Sequence, residues 1–320
     1  MRRKSNSEFS TTGFPTRYAV RTLLAFLLPA FILLSARFVT AQEKVTLRKG
    51  LPAGKFQMRQ EISFSQTVTF TEGSAVNRQR AQIYWNMEIR NASGGRTVLL
   101  RLMNIAFHTR STVGTEISLG YDSEKVADAS AGLKAIYRHL QNLRITVLLD
   151  SDLHPTEVRG LDGLEEFLTS DEIKNDPNAM ALVPVILSLF APEMVKGYFN
   201  QLYYLIPEEP VSVGESWTKE TQLPLPEQKD LHIEWSGELK EVRGTGSARV
   251  AKIAGQGTIS IPDAGEMTCN VENEVNVRSG LPVFVGFSTV TSRSGKLKIR
   301  EEEEEVRTVI SFRCAQTISE

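Results

Sequence analysis

The sequence predicts a mainly β, β-rich α+β protein: a large curved antiparallel sheet or open half-barrel, with central helices packed on its concave face. Three observations lead there. Long stretches near both ends of the chain alternate apolar and polar residues with period two, the mark of strands with one buried face. These stretches far exceed the usual five or six residues, and strands of such length twist and coil. Between the two β regions the spacing turns helical, centred on residues 161–204.

Phe56, Met58, Gln60, Ile62, Phe64, Gln66, Val68 and Phe70 alternate with a wholly polar set, and Ala81, Ile83, Trp85, Met87 and Ile89 repeat the pattern. Thr71-Glu72-Gly73-Ser74 reads as the hairpin loop between them. A third strand covers 98–109, apolar on both faces, and Ile117, Leu119 and Tyr121 mark a fourth. A helix is expected over 125–140, a short hairpin over 143–160 and a short helix over 161–168. Residues 184–204 place Ile186, Leu189, Phe190, Met194, Tyr198, Leu202 and Tyr203 on one broad face, an amphipathic helix that Pro192 should kink or restart. Strands return at 231–239, 248–253, 257–261, 267–277, 283–291 and 296–317, with turns at Ser279-Gly280 and Ser294-Gly295.

The first 41 residues read as an address. Five basic residues precede an uncharged run, Thr22 to Ala36, and Val39-Thr40-Ala41 offers small residues before Gln42. A basic start, a short apolar run and a small-x-small end describe a secretory signal peptide. The run is short for a membrane span, which needs about 20 residues. The expected organisation is a signal peptide at 1–41 and one exported β-rich domain at 42–320, periplasmic or extracellular. Membrane contact would come only through the signal segment if it stays uncleaved.

The whole chain has 37 basic and 38 acidic residues, a net charge of −1. The leading segment holds six of the basic residues and one of the acidic ones, so the remainder carries −6. That charge argues against nucleic acid as a partner. Two cysteines and four histidines are too few for a disulfide scaffold or a His-rich metal centre. The sequence implies no cofactor and no metal.

Ile83-Tyr84-Trp85-Asn86-Met87-Glu88-Ile89 resembles Ile233-Glu234-Trp235-Ser236-Gly237-Glu238-Leu239, 150 positions later. A duplication into halves of about 45–160 and 205–316, around the helical centre at 161–204, is one reading. The similarity common to all alternating strands is the other.

The most distinctive segment is Leu205 to Trp217, containing Pro-Val-x-Val-Gly-x-x-Trp. With Tyr121-Asp122-Ser123 and Trp235-Ser236-Gly237-Glu238-Leu239, it resembles a family of exported bacterial proteins with a domain of unknown function, abundant in planctomycetes. The resemblance implies fold and compartment over roughly 45–315 and brings no activity. In structural terms Pro207 and Pro210 would stiffen the exit from the helix, Gly214 would supply a turn, and Trp217 would start a strand and pack inward.

Asp150-x-Asp152-x-His154, with Glu157 nearby, is the one cluster that resembles a metal or acid/base site; a hairpin turn needs the same residue types. The acidic run Glu301–Glu305 would put Glu302 and Glu304 on a buried face, so the strand should bulge there or run past the core into water. Cys269 and Cys314 lie on apolar rows, but a simple meander puts Cys269 level with residue 292 and Cys314 far along its strand, too distant to pair. His108, His139 and His232 share no spacing. No nucleophile elbow, zinc motif, phosphate loop or dinucleotide fingerprint is present.

These readings favour a non-catalytic exported protein with a structural or interaction role in the cell envelope. The alternative is a carrier of an apolar ligand or lipid in a half-barrel cavity, a layout that resembles envelope lipoprotein carriers. Its lining would come from Phe190, Met194, Tyr198, Trp85 and Trp235, with helix 184–204 as lid. A hydrolase with an unrecognised site is the third reading. An apolar ligand or an envelope protein is the expected partner.

Overall fold

β1 (Gly54–Phe70), β2 (Gly73–Ala92) and β3 (Gly95–Ser111) run up and down as neighbours. β4 (Ile117–Asp122) pairs with one end of β3, and β5 (Ile145–Leu149) with the other, followed by β6 (Pro155–Arg159). β7 (Ser216–Leu223), β8 (Leu231–Arg243), β9 (Val250–Ile261), β10 (Gly265–Asn276), β11 (Pro282–Ile299) and β12 (Glu302–Ser319) form a second meander. These are the strands of a computed structural model, which describes residues 43–320 apart from Glu72, 113–116, 224–230, 262–264 and 300–301. The signal-segment reading of 1–41 lies outside the described residues. Lys44–Glu320 form one compact unit.

Among the described residues the twelve strands make one open, unclosed antiparallel sheet. Its order is β6-β5-β3-β2-β1-β12-β11-β10-β9-β8-β7. The chain therefore builds outward from β1 to one edge, crosses to the opposite edge, and meanders back until β12 lies against β1. The helical segment has to make that crossing, and doing so lays it over one face of the sheet.

A 3-10 turn at Ser123–Asp128 and α1 (Ala131–Asn142) lie between β4 and β5; the crossing itself contains α2 (Leu164–Leu168), α3 (Asp171–Lys174), α4 (Pro177–Leu189) and α5 (Pro192–Asn200), with a short 3-10 turn at Gln201–Tyr203. The helix expected from 184 instead begins at Pro177. Asp176 caps it, its side chain accepting from the amides of Asn178 and Ala179, and Pro177 fits the first turn. Pro184 sits inside α4. It removes one backbone donor without ending the helix, because both flanks are held by packing. α5 restarts at Pro192, and the two helices are bent by 49°. No single helix among the described residues is long and apolar enough to cross a membrane.

The turn expected at Ser294-Gly295 is absent: β11 runs straight through it to Ile299. β12 pairs with β11 without a break from Glu302 to Thr317, Glu305 opposite Lys296 and Glu303 opposite Lys298. Among the described residues the register shows no bulge from Glu302 onward, and the strand runs on; Glu301 lies outside them. The expected strands 248–253 and 257–261 are one, β9.

The inner face of the sheet, beneath the helices, is the core. Phe56, Met58, Ile62, Ile83, Trp85, Met87, Ile105, Trp235 and Ile253 are all buried there. Trp85 packs on Phe190 with ring centroids 5.7 Å apart, and Tyr204 stacks on Trp235 at 5.5 Å. Small residues make room on β8 and β9. A methyl group at Gly237 would lie 2.7 Å from the Trp217 ring, and one at Gly257 would lie 2.4 Å from Trp235.

Candidate functional site

The aromatic and apolar residues singled out as ligand contacts all lie in the core between helices and sheet, but not at one point: Trp85 packs on Phe190, while Trp235, six strands away in the sheet order, packs on Tyr204. Phe190 caps α4, Tyr198 lies on α5, Trp85 on β2 and Trp235 on β8, all four buried, while Met194 packs partly buried against the same cluster. The polar atoms of Tyr198 and Trp85 are bonded within the protein. The Tyr198 hydroxyl donates to the Leu189 carbonyl at 2.9 Å, and Trp85 Nε1 donates to Gln60 Oε1 at 2.6 Å. Burial pushes the Tyr198 hydroxyl pKa up. In this packing they join the helical layer to the sheet.

The segment Leu205–Trp217 joins that layer to β7. Val211 bridges to Val45, and Pro207 is buried. Gly214 has a φ of +84°, a conformation that favours glycine, and its amide donates to the Leu239 carbonyl at 2.7 Å. Trp217 lies over Gly237 and donates from Nε1 to the Leu205 carbonyl at 3.0 Å. Pro210 stands half-buried between Glu209 and Val211. The sheet thus satisfies carbonyls that the end of the helical segment leaves open: Gln316 Nε2 reaches the Tyr198 carbonyl, Asn273 Nδ2 the Leu202 carbonyl, and Lys219 Nζ the Ile206 carbonyl.

Asp150, Asp152 and His154 form the one group of metal-capable side chains gathered among the described residues. Asp150 Oδ1 accepts from the amides of Asp152 and His154, both at 2.9 Å, which closes the hairpin turn from β5 to β6. Leu153 takes a positive φ of 66° in the same turn. Asp152 and His154 are exposed. The other histidines are dispersed: His108 is exposed, and His139 stacks on Phe167 at 4.0 Å, burial lowering its pKa.

A different feature was not singled out from the sequence. Along β1 the inner-face residues are buried up to Ile62 and then part-exposed from Phe64 through Gln66, Val68 and Phe70. On the neighbouring strand β12, Cys314 is buried while Phe312, Ile310, Thr308 and Val306 are part-exposed. Register sets the two rows side by side, Phe64 opposite Phe312 and Val68 opposite Thr308. Phe287 of β11 joins them, its ring 6.1 Å from Phe312. Among the described residues the strands continue beyond the helices, and their inner face there is a part-exposed, mostly apolar strip, interrupted by Gln66 and Thr308, with no helix over it. Six residue steps from Phe64 to Phe70 give it a length of about 20 Å. Where it meets the helices there is a cavity of about 50 Å³ between α4 and the sheet. Ile62, Phe64, Ala81 and Phe107 line it below, Leu182 and Val185 above.

A family model described as "Family of unknown function (DUF6263)" matches residues 99–281, more than half of the chain. The chain belongs to that family. No curated protein matches it. Among solved structures, lipovitellin, from a structure titled for its lipid–protein interactions, aligns with a TM-score of 0.33 and 11% identity. The alignment covers 84% of this chain and 25% of that one, so the chain spans about a quarter of lipovitellin's length. OccK5 (OpdH) of Pseudomonas aeruginosa aligns at a TM-score of 0.19 and 8% identity, over 85% of this chain and 99% of that one. Likenesses this weak carry no argument about what the protein binds or does.

Proposed function

We propose that this protein is an exported, non-catalytic binder of linear apolar chains, lipid acyl groups foremost. The observation that carries the reading is the strip on β1 and β12. Contiguous apolar surface left open to water is costly, and in soluble proteins such a patch marks a ligand groove or an interaction surface. Its dimensions favour an acyl chain. One leaflet of a bilayer is half of the about 30 Å hydrocarbon core, so a lipid tail and the strip have similar lengths. The groups that chemistry would need are engaged otherwise: Asp150 closes a turn, and burial raises the pKa of both cysteine thiols.

The test is native mass spectrometry of protein purified without detergent from its exported fraction, with lipid extraction in parallel. Copurifying lipid, and displacement of a fluorescent fatty acid probe that Phe312→Asp weakens at least tenfold, are the expected results. Empty protein that fails to bind the probe would reject the reading. It would return the protein to a structural or interaction role in the envelope.

A further inference from the structure

The shape of the cavity under α4 allows the ligand to be oriented and its class narrowed. This step rests on the binding reading above. Phe64 belongs both to the lining of the cavity and to the strip, so the two adjoin. Leu182, Val185 and Leu189 of α4 face Ile62, Ala81 and Phe107 of the sheet, and Gln79, Arg80, His108 and Thr109 complete the lining on the sheet side. Leu182, Ile62, Ala81 and Phe107 are buried, whereas Val185 is part-exposed at the rim. The volume is about 50 Å³. A water-sized group takes about 30 Å³ and a benzene-sized ring about 150 Å³, so the cavity has room for about two methylene groups and none for a ring.

We infer that the ligand is an unbranched acyl chain that lies along β1 and β12 with its methyl end inserted under α4, between Val185 and Ala81. The polar end then lies at the far end of the strip, beyond Phe70 and Val306, where the strands run on past the helices. α4 acts as a ruler. Each methylene that reaches the cavity is covered by α4 from above as well as by the sheet from below, whereas one on the open strip is covered on one side only. Affinity therefore climbs with chain length until the cavity is filled, and then stops. A fused-ring lipid, too wide for the gap, gains nothing from it.

The experiment measures binding of saturated fatty acids of graded length to the full exported chain, for the parent, Val185→Phe and Val185→Ala. Val185 is at the rim, so neither change disturbs the buried core, and circular dichroism checks the fold of each. A fully buried methylene is worth about fourfold in affinity. Val185→Phe should move the preferred length down by about two methylenes and weaken the best parental ligand about 15-fold, while leaving short chains unchanged. Val185→Ala should move the preferred length up. A sterol should bind weakly and equally to all three. Chains of every length bound with the same preference by all three proteins would overturn the orientation and leave the strip as the binding surface. A parent that binds no chain of any length would overturn both.

Discussion

Gln316, in the last strand, donates from Nε2 to the backbone carbonyl of Tyr198 in α5, 118 residues earlier, at 3.1 Å. Gln316 is buried and stands opposite Gln60 across the β1–β12 pairing that joins the first and last strands of the sheet. One amide thus connects the seam of the sheet to the helical layer above it. Gln316→Ala should remove that bond and leave a small void, for a loss of about 2 kcal/mol. Hydrogen exchange should rise most in α5 and the following turn. Uniform loosening of the whole sheet would show that the contact does not hold the helix.

Gly237 carries the Trp217 ring. A methyl group there would sit 2.7 Å from ring atoms, closer than non-bonded carbons approach. Gly237→Ala should therefore displace Trp217 and cost about 1–3 kcal/mol. The displaced indole should shift its fluorescence to the red. An unchanged melting temperature together with unchanged emission would mean that β7 moves aside freely.

Lys219 lies on β7, an edge of the open sheet, and its register partner Trp235 is on the buried inner face. An inward-facing charge is a device that keeps an edge strand from pairing with a second chain. Loss of water, with Lys49 beside it, lowers the Lys219 pKa, Glu208 acting in the opposite sense. Since the folded pKa is lowered, the charged lysine opposes folding. The cost is full below the folded value and is relieved as pH rises towards the ordinary 10.5. Lys219→Met should remove the cost and its pH dependence, yet expose the edge. Size-exclusion chromatography should show self-association that grows with concentration beyond the parent's; identical elution would remove the guarding role.

Cys269 stands opposite Thr289, Thr289 opposite Phe312, and Cys314 opposite Phe287. The two cysteines are therefore almost level on either side of β11, not at opposite ends as a turn at 294–295 would require. Two strand spacings, about 10 Å, still exceed the about 7 Å that a disulfide spans. Both are free, and burial pushes the Cys314 thiol up to about 11. A thiol reagent at neutral pH should label neither in the folded protein and both after denaturation. Rapid native labelling of Cys314 would show that α5 opens.

The β architecture was legible in the sequence because period-two alternation is local. Each residue from Phe56 to Phe70 declares its face, and the pairing of β1 with β2 follows from a short hairpin. The start of α4 was less so: Pro184 reads as a boundary, and only packing on the sheet shows that the helix tolerates it. Ser294-Gly295 misled in the opposite way, since its turn composition yields to the continuous partner that β12 supplies. The candidate site was half visible. Phe64, Val68, Ile310 and Phe312 declare an inward face, but nothing local says where the cover above that face ends.

By itself, then, the sequence determined which residues form strands, which face of each is apolar, and that helices interrupt them, because those properties depend on neighbours a few positions away. The tertiary structure alone decided that β12 returns to β1, that Trp85, Phe190 and Tyr198 are sealed into packing, and that among the described residues no helix covers the inner face past Phe64. Those outcomes depend on where a helical segment of fixed length comes to rest on strands longer than it can cover.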